Sequence, residues 1–265
     1  MAPPGIIYGT AWKQDATAAL VAQALAAGYR AFDTANQKKH YREDFAGAAI
    51  RSSGLPRAGL FLQSKYTSAR GQDHRLPYDP AAPVAEQVRA SFSSSLQHFG
   101  TDYLDSYLIH GPDGHGVLND DDWDAWRAME ELHLEGKARA IGISNVGLRQ
   151  LRELERAKVR PAFVQNRCYA QRGWDRDVRE YCLAHGIVYQ GFSLLTANPQ
   201  VVGHPATAAI ARRLGATPPQ IVFRFAMTLG IMPLTGTTDA RHMTEDLAAL
   251  ALPLTAADAD ALSAL

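Results

Sequence analysis

The sequence predicts an α/β chain closed into a (β/α)₈ barrel of the TIM type, a single domain over residues 1–265. Three observations predict it. Eight short apolar runs alternate with eight amphipathic stretches along the whole chain, and such alternation implies parallel strands joined by right-handed crossovers. Eight units in 265 residues is the size of a closed barrel. The rival, an open doubly wound sheet, carries a Gly-rich turn after its first strand. Here the first strand runs into GTAWK, with no such turn.

Each element has its own signal. IIYGT (6–10) is the first strand, and the helical pattern at 15–27 follows it, stopped by Gly28. RAFDT (30–34) precedes a helix at 42–53, and LFLQSK (60–65) precedes one at 83–98. YLDSYLIH (103–110) leads to 121–136, ending on Gly136, and ARAIGIS (138–144) leads to 147–157. AFVQN (162–166) is followed by 174–185, ending before Gly186, and IVYQG (187–191) by the long region 206–229. Thr217-Pro218 divides that region, with Thr217 as the cap of a second helix. IMPLTG (231–236) and a helix at 239–250 complete the set. The strands show alternation or continuous apolar character, and the helices show recurrence every three to four residues. Glycine after a helix supplies the left-handed cap. The longest irregular stretch, 66–82, follows the third strand and reads as a functional or mobile loop.

Composition narrows the function classes. Hydrophobic content of 46% with 20% charged residues describes a globular chain. The formal net charge of +0 offers no bulk attraction to nucleic acid or to an anionic membrane. Cys168 and Cys182 fit no metal or redox spacing, so no metal is expected. With no secretion signal and no membrane-length apolar run, a reduced cytoplasmic setting is expected.

The polar residues gather at predicted strand ends: Thr10, Asp33, Lys65, His110, Ser144, Asn145, Gln165, Asn166, Ser193 and Thr235. In a parallel barrel those ends share one mouth, where active sites are built. Each residue alone has a plain structural use: Asp33 as a helix cap, Lys65 as a surface lysine, His110 as a core histidine. Ionisable residues ending strands two, three and four must converge, however, and that is how a proton-transfer site is arranged.

GYRAFDTA, SK after LFLQ, DSYLIH, EGKARAIGISN and the Gln of the sixth strand occur in order along the chain. On these motifs the chain resembles the aldo-keto reductase superfamily. The resemblance implies a catalytic tyrosine assisted by Asp33, Lys65 and His110. The family's loop reads D-T-A-x-x-Y-x-N-E, but five residues after Asp33 stands Lys38. DTANQKKHY (33–41) carries a two-residue insertion. Counting back from Glu43 puts His40 in the tyrosine slot with Tyr41 beside it, and Tyr41, the only tyrosine of the loop, is assigned as proton donor. Lys38 and His40 stay as rivals for the slot, and Tyr41 packing on the helix start stays as the plain alternative. A lysine ammonium held by Asp33 is expected to lower the phenol's pKa.

The resemblance also implies an NAD(P)H site. Ser144, Asn145 and Gln165 match the residues that hold the nicotinamide amide. Phe192 matches the stacking ring and Ser193 and Leu195 the pyrophosphate contacts, and Thr10 and Asp33 are also expected to bind the cofactor. At the adenosine end Gly236, Thr237, His242, Glu245 and Asp246 align with the family's Lys-Ser, Arg and Glu-Asn, and Arg241 stands next to the Arg position. NADPH is the expected cofactor, with NADH possible. Gly111 replaces a bulky aromatic, and the chain ends at Leu265 without the long loop that shapes many family pockets. An open pocket for a small-molecule carbonyl is expected, walled by Trp12, Tyr66, Tyr169 and Trp174, in a monomer or weak oligomer. A non-redox catalyst (cyclase or dehydratase) and a non-catalytic nucleotide-binding subunit are the alternatives.

Overall fold

The computed structural model describes residues 4–265. Its strands are β1 (Ile7–Gly9), β2 (Ala31–Asp33), β3 (Phe61–Tyr66), β4 (Ser106–Ile109), β5 (Ile141–Ser144), β6 (Phe163–Arg167), β7 (Val188–Phe192) and β8 (Ile231–Thr235). Every pairing is parallel, and β8 pairs back onto β1 through Tyr8 and Thr235, so the sheet is a closed barrel. Closure removes both sheet edges and leaves one rim of strand C-termini.

Helices α1 (Thr17–Ala27), α2 (Glu43–Ser52), α3 (Val84–Phe99), α4 (Asp120–Leu134), α5 (Leu148–Glu153) and α6 (Arg176–Ala184) follow the first six strands. The β7–β8 crossover holds α7 (Pro199–Val202), α8 (Pro205–Leu214) and α9 (Pro218–Thr228), and α10 (Ala240–Ala248) and α11 (Ala256–Ser263) end the chain. Gly28 ends α1 in the left-handed region at φ 114°, where a Cβ would be strained. Thr217 is extended at φ −95°, ψ 154°, and its N–H donates to Gln220 Oε1 at 2.8 Å. That cap and the prolines of the first turn start α9 afresh, as the sequence implies.

Alternation sorts the strand residues. Outward side chains such as Tyr8, Phe32, Leu62 and Tyr107 join the helices in the main core. Ile7, Ala31, Phe61, Leu108, Phe163, Met232 and Leu234 form a separate apolar cluster. Two residues further along β2, β3, β6 and β7 stand Asp33, Gln63, Gln165 and Gln190, all buried. They satisfy one another. Gln63 Nε2 donates to Asp33 Oδ1 at 2.7 Å and to Gln190 Oε1 at 2.8 Å. Gln165 Nε2 donates to the same two oxygens at 3.0 and 2.9 Å, and Gln190 Nε2 returns a bond to Gln63 Oε1 at 3.0 Å. A buried carboxylate is tolerated because donors surround it. This polar layer is the floor of the site.

Candidate active site

The rim above that floor opens into a cavity of about 710 Å³. Its wall includes Asp33, Tyr41, His110, Ser144, Asn145, Gln165, Phe192, Ser193, Leu195, Gly236, Thr237, His242, Glu245 and Asp246. Residues more than 200 apart in sequence meet there because each lies at a strand C-terminus or in the loop or helix that follows it.

Lys65 is fully buried beside the cavity. Its Nζ donates to both carboxylate oxygens of Asp33 at 2.7 Å and to Thr34 O at 2.8 Å. Burial lowers the ammonium's pKa, and Asp33 opposes that shift. All three Nζ–H donors are thus engaged.

Residues 37–41 of the β2–α2 loop form a turn. Tyr41 N donates to Gln37 O at 3.0 Å, while His40 O accepts from Trp12 N at 2.7 Å. The turn sends adjacent rings to different places. The His40 ring stacks on Trp12, with centroids 3.7 Å apart. The Tyr41 ring meets His110 edge to face at 5.7 Å, and Lys65 Nζ stands 5.4 Å from the Tyr41 centroid. The Lys38 side chain is not part of the cavity wall; its carbonyl accepts from Arg75 Nη2 at 2.8 Å. Two residues after Tyr41, Glu43 anchors the start of α2. It accepts from Ser64 Oγ on β3 and contacts His98 Nδ1 of α3 at 2.9 Å.

One electrostatic expectation is corrected. The Tyr41 phenol is held well above its ordinary pKa by burial, with Asp33 adding to the rise. Lys65 does not offset this, because its charge is matched by Asp33 and its donors are all committed. The phenol therefore keeps its proton. Burial, with Lys65 and His40 adding to it, brings His110 down to about 3, so its ring is neutral near pH 7.

Gln165 is orientated by charge. Its NH₂ must face Asp33, so Oε1 is turned away and accepts nothing among the described residues. Asn145 and Ser193 stand at positive φ, 55° and 58°, at the ends of β5 and β7. Asn145 Nδ2 donates to His110 O at 2.8 Å, which ties the fifth strand end to the fourth. At the far end of the cavity Gly236 O accepts from Lys13 Nζ at 2.7 Å, and Thr237 O from Tyr8 Oη at 2.8 Å. Asp246 accepts from Thr235 Oγ1 at 2.5 Å, and burial raises its carboxyl to about 6.

Other expected site residues lie elsewhere. Thr10 is fully buried, its hydroxyl donating to Asp33 O at 3.0 Å, and it is not on the cavity wall. Tyr66 was expected as a wall, but it points out of the barrel, where its hydroxyl donates to Gln87 Oε1 at 3.1 Å. Trp174 is also in the core, edge-on to Phe225. Tyr169 lines an adjoining pocket with Arg167 and Arg172, and Gly111 lines a groove beside His110. Trp12 is on the cavity wall and 69% exposed. Arg241 is exposed outside the wall, with Nη2 3.2 Å from His242 Nε2. Gln63, Gln190 and the wall residue Arg167 were not foreseen.

Known proteins share this fold. The model of the Aldo/keto reductase family matches residues 6–198. A glyoxal reductase of Bacillus subtilis is 30% identical over 92% of this chain and 82% of its own length. A 9,11-endoperoxide prostaglandin H2 reductase of Trypanosoma cruzi is 31% identical over 87% of this chain and 75% of its own. An aldo/keto reductase crystal structure from Brucella melitensis superposes with a TM-score of 0.84 at 28% identity, covering 98% of this chain and 94% of that one. With a family match over most of its length and a barrel of the same form, the chain belongs to the aldo/keto reductase family, oxidoreductases that reduce carbonyl groups with NAD(P)H.

Proposed function

We propose that this barrel, acting as one domain, reduces a small aldehyde or ketone with NADPH, and that Tyr41 delivers the proton. The observation that carries the reading is the meeting of the Tyr41 and His110 rings above the Lys65–Asp33 pair. When bound, the nicotinamide cofactor supplies the reducing equivalent to the carbonyl carbon. Ser144, Asn145 and the free Oε1 of Gln165 would hold the nicotinamide carboxamide, and Phe192 would stack on its ring. Ser193 and Leu195 follow for the pyrophosphate, and residues 236–246 for the adenosine end. The cavity suits this in size and in the unpaired polar atoms that face it.

The residues of the chain then manage charge. Reduction develops an alkoxide, a far stronger base than phenolate, so a protonated Tyr41 is the acid form the step needs. A neutral His110 can donate one hydrogen bond to the same oxygen, and a donor aimed there is worth roughly 3 kcal/mol. The Lys65–Asp33 pair fixes the floor beneath the phenol. The exposed Trp12 wall and the groove at Gly111 leave the pocket open to solvent, as the reduction of a free small-molecule carbonyl requires. Purified protein with NADPH and a panel of small aldehydes, glyoxal included, tests the reading. NADPH loss matched by alcohol formation supports it. Cofactor binding without turnover of any carbonyl would favour the nucleotide-binding alternative.

Preference for NADPH is expected to be modest. The N–H groups of Arg241 and His242 at the start of α10 donate to Asp239 Oδ1 at 2.8 and 3.1 Å. An Asp carboxylate therefore stands where a 2′-phosphate would seek the helix N-terminus. Arg241 supplies the main attraction, being a charge-assisted donor. Fluorescence titration should show NADPH binding tighter than NADH by less than about 10-fold, or about 1.4 kcal/mol. Arg241→Ala should erase the difference and Asp239→Asn should widen it. An unchanged ratio in both variants would mean that other residues read the adenosine end.

A further inference from the structure

Among the described residues, the one side-chain hydrogen bond to the His110 ring comes from the loop after β3. Thr67 Oγ1 lies 2.7 Å from His110 Nδ1. Thr67 is buried, and its hydroxyl has no other hydrogen-bonding partner among the described residues. Burial keeps the ring neutral, with one N–H and one acceptor nitrogen. Two arrangements fit the contact. If Nδ1–H donates, the Thr67 hydroxyl hydrogen has no acceptor among the described residues, which costs an unmade bond at a site mostly shielded from solvent. If Thr67 donates to Nδ1, that cost vanishes and the ring proton sits on Nε2.

We propose that Thr67 is a positioning residue that fixes His110 as its Nε2–H tautomer, so that the ring presents a donor to the substrate oxygen. This rests on the reading of the cavity as a carbonyl-reducing site. The surroundings hold Thr67 in place. Its carbonyl accepts from Tyr78 Oη at 2.6 Å and Gln72 Nε2 at 3.3 Å. Gln72 Nε2 also donates to Asn36 O at 2.9 Å, and Gln37 Nε2 to Gly71 O at 2.6 Å, which stitches this loop to the one carrying Tyr41. A Cβ on Gly71 would lie 2.6 Å from Thr67 Cγ2, so the glycine leaves room for this one placement of the threonine. The loop that delivers the phenol and the loop that orients the imidazole are thus one hydrogen-bonded unit.

Long-range ¹H–¹⁵N spectra read the tautomer directly, with the His110 signals assigned by their absence in His110→Gln. Wild-type protein should show the Nε2–H pattern. Thr67→Val, nearly the same in shape, should lose it and lower kcat with NADPH and glyoxal by about 30-fold, short of the roughly 10²–10³ typical of deleting an oxyanion donor. NADPH affinity should stay within about twofold, and Thr67→Ser should restore both tautomer and rate, which a purely structural role would not require. Gly71→Ala keeps the hydroxyl but displaces it, and should disturb the tautomer likewise, which covers the case of a Val variant that does not fold. An Nδ1–H pattern in wild-type protein, or an unchanged tautomer and rate in Thr67→Val, would overturn the inference. If no carbonyl is turned over by wild-type protein while the tautomer still depends on Thr67, the orienting role stands and the carbonyl reading of this site falls.

Discussion

Tyr41→Phe is expected to lower kcat by about 10³-fold, within the roughly 10²–10⁴ range of general acid catalysis, while leaving the Kd for NADPH nearly unchanged. The substitution is clean. Tyr41 Oη makes no hydrogen bond to the described residues, so no protein partner is left unsatisfied when it goes. The ring stays to pack on His110. Thermal stability should therefore stay near wild type, and the loss will belong to chemistry. The neighbours in the same loop serve as controls. Lys38→Met should have a small effect, because that side chain is off the cavity wall. His40→Ala should act mainly on KM by freeing Trp12, its stacking partner. A near-normal Tyr41→Phe beside a dead Lys38 or His40 variant would place the acid elsewhere in the loop.

Lys65→Met is expected to damage stability and activity together. It removes three donors at once, two from Asp33 and one from Thr34 O. Asp33 would remain buried with bonds only from Gln63 and Gln165. Breaking a buried charge pair costs roughly 3–5 kcal/mol, and the two remaining amides argue for the lower end, about 3 kcal/mol. For a chain of this size that is a fall in Tm of roughly 6–12 °C. Activity should fall by about 10²-fold, because the floor under Tyr41 and His110 loses its shape. A melting curve within about 2 °C of wild type would show that Asp33 finds another counter-charge or gives up its own.

Most of the barrel was legible because period and punctuation agree along the chain. All eight strands overlap the apolar runs; five are shortened where loops begin, and β3, β6 and β7 are shifted one residue toward their C-termini. α11 was not, because AADADALS alternates small and acidic residues with little helical periodicity. At the site, the ionisable residues at strand ends were legible, whereas several neighbours were misjudged for one geometric reason. Strand side chains alternate, so with Lys65 turned into the barrel, Tyr66 had to turn out. The same alternation could have found Gln63 and Thr67, two residues on either side of Lys65, and Gln190 in the apolar run IVYQG. Trp174 was beyond such reasoning, since its burial depends on Phe225 in a distant helix. The placement of Tyr41 against His40 depended on how the loop 33–41 folds, which spacing cannot decide.

A crystal structure of the protein with NADP⁺ and a carboxylate or amide analogue of the carbonyl substrate tests the central assignment most directly. The account predicts Tyr41 Oη and His110 Nε2 both within about 3.2 Å of the analogue's oxygen, with Lys65 still on Asp33 and the nicotinamide ring against Phe192. An analogue oxygen held instead by His40 or Lys38, with the Tyr41 hydroxyl turned away from it, would contradict the account.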